Sequence, residues 1–186
     1  ENSILLNHTS QFKKIALSFT IYKRTGTQSL ITGTQDGTVW SWDVESGERT
    51  IKVDQSHSGA VTCVCVDTGG VRTSSEAQKN TPDLSRVVTA GAKSIHIWDM
   101  RSRRPLVRTL RGHTDQVTSL AIHSPSWTLL SGSRDQSVRA WDIRMGRMKF
   151  TSREHFGSIC CLGVTHERAA EFISGAKDSS IKVWNS

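Results

Sequence analysis

His113, Ser131 and Asp135 carry the side chains of a hydrolytic triad: a hydroxyl nucleophile, an imidazole base and a carboxylate to orient it. His155, Ser174 and Asp178 repeat the set downstream, and His8, Thr32 and Asp36 repeat it upstream with Thr in place of Ser. Three copies of one hydrolytic centre in a single chain serve no chemical purpose, and no nucleophile elbow or oxyanion-hole motif accompanies any of the hydroxyls. Other chemistry is equally thin. There is no Gly-rich phosphate loop, no His-Glu-x-x-His and no paired cysteine ligands. Cys63, Cys65, Cys160 and Cys161 lie in β-like apolar runs, and read as reduced, buried residues rather than a metal site. No catalytic residue, cofactor or metal is expected. His96, His123 and His166 fall outside the repeating sets and are expected to be solvated.

The elements that carry these sets repeat as well. Trp-Asp stands at Trp42-Asp43, Trp98-Asp99 and Trp141-Asp142, followed by Trp184-Asn185. Each Trp ends a short alternating run (GTVWSW, SIHIW, SVRAW, SIKVW), preceded by a small-residue segment (LITGTQDG, VVTAGAK, LLSGSRDQ, FISGAKDS). Upstream of each lies a His and another β-like run, as in His57 with AVTCVCVD, and downstream a polar turn and a final strand. The pattern predicts four antiparallel strands per unit and no amphipathic helix. The 186 residues suit one domain, and 35 % hydrophobic content suffices for a packed core. No apolar run approaches the ~18 residues of a membrane span, and the first residues lack the features of a signal peptide. The expectation is a soluble intracellular protein of cytoplasm or nucleus, with no membrane contact.

These residues resemble the WD-repeat (WD40) family; the segment GHTDQVTSLAIHSPSWTLLSGSRDQSVRAWDIR is close to its full pattern. The resemblance covers the whole chain and implies an all-β fold, a β-propeller of four-stranded blades. Four repeats are present, at about 1–43, 44–99, 100–142 and 143–186, as one propeller segment of a larger ring of about seven blades. In the family, the recurring polar set is a structural network. The resemblance therefore assigns His8, Thr32, Asp36 and Trp42, His113, Ser131, Asp135 and Trp141, and His155, Ser174, Asp178 and Trp184 to holding their own blades. The second repeat departs twice. TAGAKSIHIWD lacks the turn Asp, and TGGVRTSSEAQKNTPDLSR, about 68 to 86, is an insertion that reads as a mobile loop.

Charge is uneven. Between Arg101 and Glu154 eleven basic residues face four acidic ones, an excess equal to the +7 of the whole chain. Such a field suits RNA, an acidic protein segment or a phosphopeptide, and a solvated rim is the competing reading. Arg103, Arg104 and Arg108 are expected on an exposed turn and outermost strand. Arg134 and Lys177 stand beside the turn Asp, toward one opening of the ring. SGSRDQSVRAWD is similar to the phosphodegron-reading repeats of F-box WD proteins, with Arg134 and Arg139 at the matching places. At the opposite end, Trp98-Asp99-Met100-Arg101 and Trp141-Asp142-Ile143-Arg144 look like a doubled Trp-Asp-x-Arg box. Substrate receptors use this box to dock on the damage-binding adaptor of cullin–RING ubiquitin ligases. Trp127 is expected near it. The main expectation is a non-enzymatic scaffold that works with other proteins in a complex; a ligase substrate receptor and a ribonucleoprotein-associated factor are the alternatives.

Overall fold

The computed structural model describes residues 16–24, 27–53, 56–67, 86–99, 102, 105–165 and 171–185. Blade 1 is built from β1 (Ala16–Arg24), β2 (Thr27–Thr34), β3 (Val39–Asp43) and β4 (Arg49–Val53). Blade 2 comprises β5 (Val61–Asp67), β6 (Arg86–Gly91), β7 (Ser94–Asp99) and β8 (Leu106–Arg111). Blade 3 comprises β9 (Val117–His123), β10 (Thr128–Ser133), β11 (Val138–Asp142) and β12 (Arg147–Ser152). In blade 4 the described strands are β13 (Ile159–Val164), β14 (Glu171–Ala176) and β15 (Ile181–Asn185). Strands follow chain order in each antiparallel sheet. His8 lies outside the described residues, as do Arg101, Arg103, Arg104, His166 and positions 68–85 of the insertion.

The recurring Trp sits at a recurring irregularity. In blades 1 to 3 the pairing of the third strand with the fourth slips at Trp42, Trp98 and Trp141. Such a bulge adds local twist. Each indole reaches the hydroxyl of Thr32, Thr89 or Ser131 on the second strand, and Trp184 reaches Ser174 without a fourth strand among the described residues.

Apolar residues are packed between blades rather than within one sheet. Ile31 and Val39 of blade 1 meet Val61 and Val64 of blade 2. Val88, Ile95 and Ile97 meet Val117, Ile122 and Leu129, and Leu130 and Ala140 meet Phe172. Small residues let the sheets approach: a Cβ on Gly132 would overlap Cγ2 of Ile159, and one on Gly33 would overlap Val61. The residue three places before each repeat Trp, near the start of the third strand, measures this coverage. Val39, Ile95 and Val138 are at most 2 % exposed, whereas Ile181 in blade 4 is 76 % exposed.

That coverage corrects one expectation. Cys160 and Cys161 are exposed, not buried. Thr62 and Thr118, at the position of Cys160, reach the carbonyls of Val117 and Ile159 on the next blade's first strand. Among the described residues no further blade stands beside β13 to cover its cysteines in this way. Cys63 is enclosed, and burial pushes its thiol up to about 11.

Candidate interaction surface

The polar sets converge at one end of the blades, here termed upper. In blade 3, Trp141 Nε1 donates to Ser131 Oγ (2.8 Å), Ser131 lies 2.7 Å from His113 Nε2, and His113 Nδ1 lies 2.9 Å from Asp135. The order of donors follows from chemistry. The Asp135 carboxylate can only accept, so Nδ1 carries the proton, Nε2 accepts from the Ser131 hydroxyl, and Ser131 accepts from the indole. Asp135 also accepts from the Thr114 N–H and from the N–H and hydroxyl of Ser137. Burial alone would raise its pKa, but the bonds from Ser137, Thr114 and His113 outweigh it and hold the carboxyl well below the usual range. Blade 4 repeats the chain through Trp184, Ser174, His155 and Asp178, with spacings of 2.9, 2.7 and 3.0 Å.

Blades 1 and 2 vary the theme. Trp42 donates to Thr32 at 3.0 Å, and Asp36 accepts from the hydroxyls of Thr34 and Thr38. In blade 2, which lacks the Asp, Thr89 joins Trp98 and His57, each at 2.8 Å. His96 fills the remaining space, its ring stacked on His57 at 4.1 Å and edge-on to Trp98 at 5.5 Å. Burial, and then the charge of His96, lowers the His57 pKa to about 3. His96 is therefore not a solvated residue. Nor is His123, which is buried, bonded to Ser126 at 2.6 Å and set edge-on to Phe172.

The WD-repeat family model, described as "WD domain, G-beta repeat", matches residues 104–142 and 146–185. The chain belongs to the WD-repeat family. Nuclear distribution protein nudF 2 of Penicillium rubens is 30 % identical over 164 residues, covering 84 % of this chain and 34 % of that protein. The U3 small nucleolar RNA-associated protein 15 homolog of Bos taurus is 28 % identical over 142 residues, covering 76 % of this chain and 24 % of that protein. The solved structure of U3-55K superposes with a TM-score of 0.75 at 20 % identity, over 94 % of this chain and 50 % of that one. The WD-repeat chain spans about a third of the length of the first curated relatives it matches.

At the lower end of this WD-repeat segment the Trp-Asp turns gather a second cluster. The Asp142 carboxylate accepts from the N–H groups of Arg144 and Met145. The Met145 N–H is the largest influence on its pKa, which is lowered; the Arg144 N–H and the charges of Lys149 and Arg144 add to this. The cap closes the turn and leaves the Arg144 side chain exposed, its guanidinium 5.4 Å from the centroid of the Trp127 ring. Trp127 has φ 53°, an outlier for a bulky residue, and its carbonyl accepts from Ile143. From blade 2, Arg86 places its guanidinium 5.9 Å from the same ring and donates to the Ile143 carbonyl at 3.2 Å. Beside it, Ser124 donates to buried Asp67 at 2.6 Å. Sequence reasoning missed Arg86 and Asp67. Asp67 stands just before the insertion, and Arg86, read from the sequence as the last residue of its loop, instead opens β6.

The remaining basic candidates separate. Arg134 and Lys177 are exposed at the upper turns of blades 3 and 4, with Lys93 exposed in the shorter turn of blade 2. Arg108 is exposed on β8, its stem packed over Gly146. Arg139 lies elsewhere than a surface role requires. It is 7 % exposed, wedged against Gly112 and Trp141, with Nε 3.5 Å from Ser137 Oγ. Its cation thus stands one hydroxyl away from the Asp135 carboxylate, because the second residue of β11 shares the Trp141 side of the sheet. No three His, Cys, Asp or Glu side chains converge as metal ligands among the described residues.

Proposed function

We propose that the chain is a non-enzymatic, intracellular scaffold that holds protein partners against rigid blades, with the lower junction of blades 2 and 3 as one docking surface. The observation that carries this reading is the pairing of Arg144 with Trp127. An exposed guanidinium that makes no ion pair within 4 Å among the described residues lies on an indole held by backbone bonds. Arg and Trp are the residue types most enriched among interface hot spots. Arg is suited to forked bonding with carboxylate or carbonyl acceptors. Relatives named for nuclear distribution and for association with a small nucleolar RNA are consistent with work inside larger assemblies.

The test is affinity purification from cells with the wild type and with Arg144→Ala combined with Trp127→Ala. The reading predicts proteins that the wild type recovers and the variant recovers at least several-fold less, with thermal unfolding nearly unchanged. Identical protein sets from both would reject a lower-face docking role.

A second reading, a cullin–RING substrate receptor, is favoured by the exposure of the Arg144 side chain at the Asp142-capped turn. Arg101, the other member of the doubled box, lies outside the described residues. Recovery of the ligase adaptor by the wild type, lost with Arg101→Ala and Arg144→Ala together, supports it; no adaptor, or equal amounts, rejects it. Association with RNA through the basic sector would instead show binding that falls steeply with salt.

A further inference from the structure

Phe156 is the most exposed large apolar residue described, at 88 %. Its exposure has a different cause from that of Ile181. The equivalents of Ile181 in the other blades are buried, so Ile181 is exposed because nothing among the described residues covers blade 4. The equivalents of Phe156 are Ser58 and Thr114, each the residue after the network histidine, and both are exposed in blades that have neighbours on either side. The position faces solvent in both other blades where it is described, and in blade 4 it carries a phenyl ring.

The backbone that carries the ring is held in place. The Phe156 N–H donates to Asp178 at 2.8 Å, and His155 before it is buried in the blade network. Gly157 after it has no room for a side chain, since a Cβ there would lie 2.6 Å from the Asp178 nitrogen. The ring of Phe156 is thus presented to solvent from a fixed backbone on the upper face. Lys177 adjoins it, its N–H donating to the Ser158 carbonyl at 2.9 Å. Arg134 occupies the corresponding turn of blade 3. Both are exposed, and neither makes an ion pair within 4 Å among the described residues. The acids of this face are already committed. Asp135 and Asp178 accept the internal bonds of their networks, Asp115 accepts from the Gln116 N–H, and Glu154 lies 3.6 Å from Lys182.

We infer that the upper face of blades 3 and 4 is a second docking site, separate from the lower one, for an acidic protein segment that seats an apolar side chain on Phe156 and its carboxylates on Arg134 and Lys177. The inference rests on the scaffold reading and adds the site and the chemistry of its partner. A protein is favoured over RNA because single-stranded nucleic acid is held by successive aromatic platforms. The other exposed aromatics described, Phe19 and Phe150, lie on β1 and β12, away from this turn.

The test is fluorescence anisotropy with a labelled synthetic peptide rich in Asp and Glu around one Leu, with oligouridylate as the competing probe. The wild type should bind the peptide. Phe156→Ala should weaken binding by about tenfold or more, as truncating an interface anchor does, and Arg134→Glu with Lys177→Glu should abolish it. Arg144→Ala should leave it unchanged. Thermal unfolding of Phe156→Ala should match the wild type, since the ring packs against little. Equal peptide binding by Phe156→Ala, no peptide binding, or tighter binding of oligouridylate would each overturn the upper site. If lower-face partners are still lost with Arg144→Ala in that case, the scaffold reading stands without this site.

Discussion

The imidazoles of His57 and His96 lie face to face, ring centroids 4.1 Å apart and 12° from parallel, in the blade that lacks the carboxylate which blades 3 and 4 set against the network histidine. A protonated His57 would have no anionic partner in its own turn. The unfolded chain takes up a proton on this imidazole near pH 6.5, and the folded blade only near 3. Below pH 6.5 the unfolded state therefore binds more protons. Stability is undiminished above that value and falls by about 1.4 kcal/mol per pH unit as pH drops toward 3. Urea unfolding at pH 7 and pH 5 should show this loss. The slope should shrink in His57→Asn, and a slope that the substitution leaves unchanged would remove His57 as its source.

Asp135→Ala leaves the Nδ1–H of His113, the Thr114 N–H and Ser137 short of an acceptor. The expected loss is about 1–3 kcal/mol for each buried group left unsatisfied. Because the Asp135 pKa is lowered in the fold, its contribution is present above its unfolded value of 3.8 and lost as pH falls through the lower folded value. Denaturant midpoints of wild type and variant at neutral pH check the first statement. An unshifted midpoint would mean that the bonds of this network contribute nothing net.

Ile95 and Ile181 occupy the same position in blades 2 and 4 and differ only in coverage. Alanine at Ile95 should cost about 2–5 kcal/mol, the range for buried aliphatic truncation. Alanine at Ile181 should stay within about 0.5 kcal/mol. Thermal melts of the two variants of this chain decide it; equal costs would show that Ile181 is covered in solution.

Gly132→Ala sets a methyl against Ile159, and overpacking of this kind costs about 1–3 kcal/mol. Shortening the neighbour to Ile159→Ala removes the obstructing Cγ2. The double variant should then be more stable than the sum of the two single losses. Strict additivity would show that the two blades do not press on each other here.

The WD repeat was legible in the residues because a blade is a local object. Its four strands are contiguous in sequence, its alternation has period two, and its His, Ser or Thr, Asp and Trp return at fixed places in each unit. The missing turn Asp of blade 2 and the place of Trp127 beside Arg144 followed from the same local order. What the sequence left open is what meets each strand once the chain is folded. His96 and Arg139 are polar residues on a strand, and alternation assigns them a side without saying what stands on it; within their own blades one became a stacking partner of His57 and the other was buried on the Trp141 side of β11. Cys160 made the converse point, since exposure at the start of a blade depends on which residues the next blade brings. Arg86 reaches Ile143 and Trp127 across more than forty positions of chain, and no local pattern records such a contact. Strand periodicity acts over a few residues, whereas burial and charge pairing are set by whichever sheet the fold brings alongside.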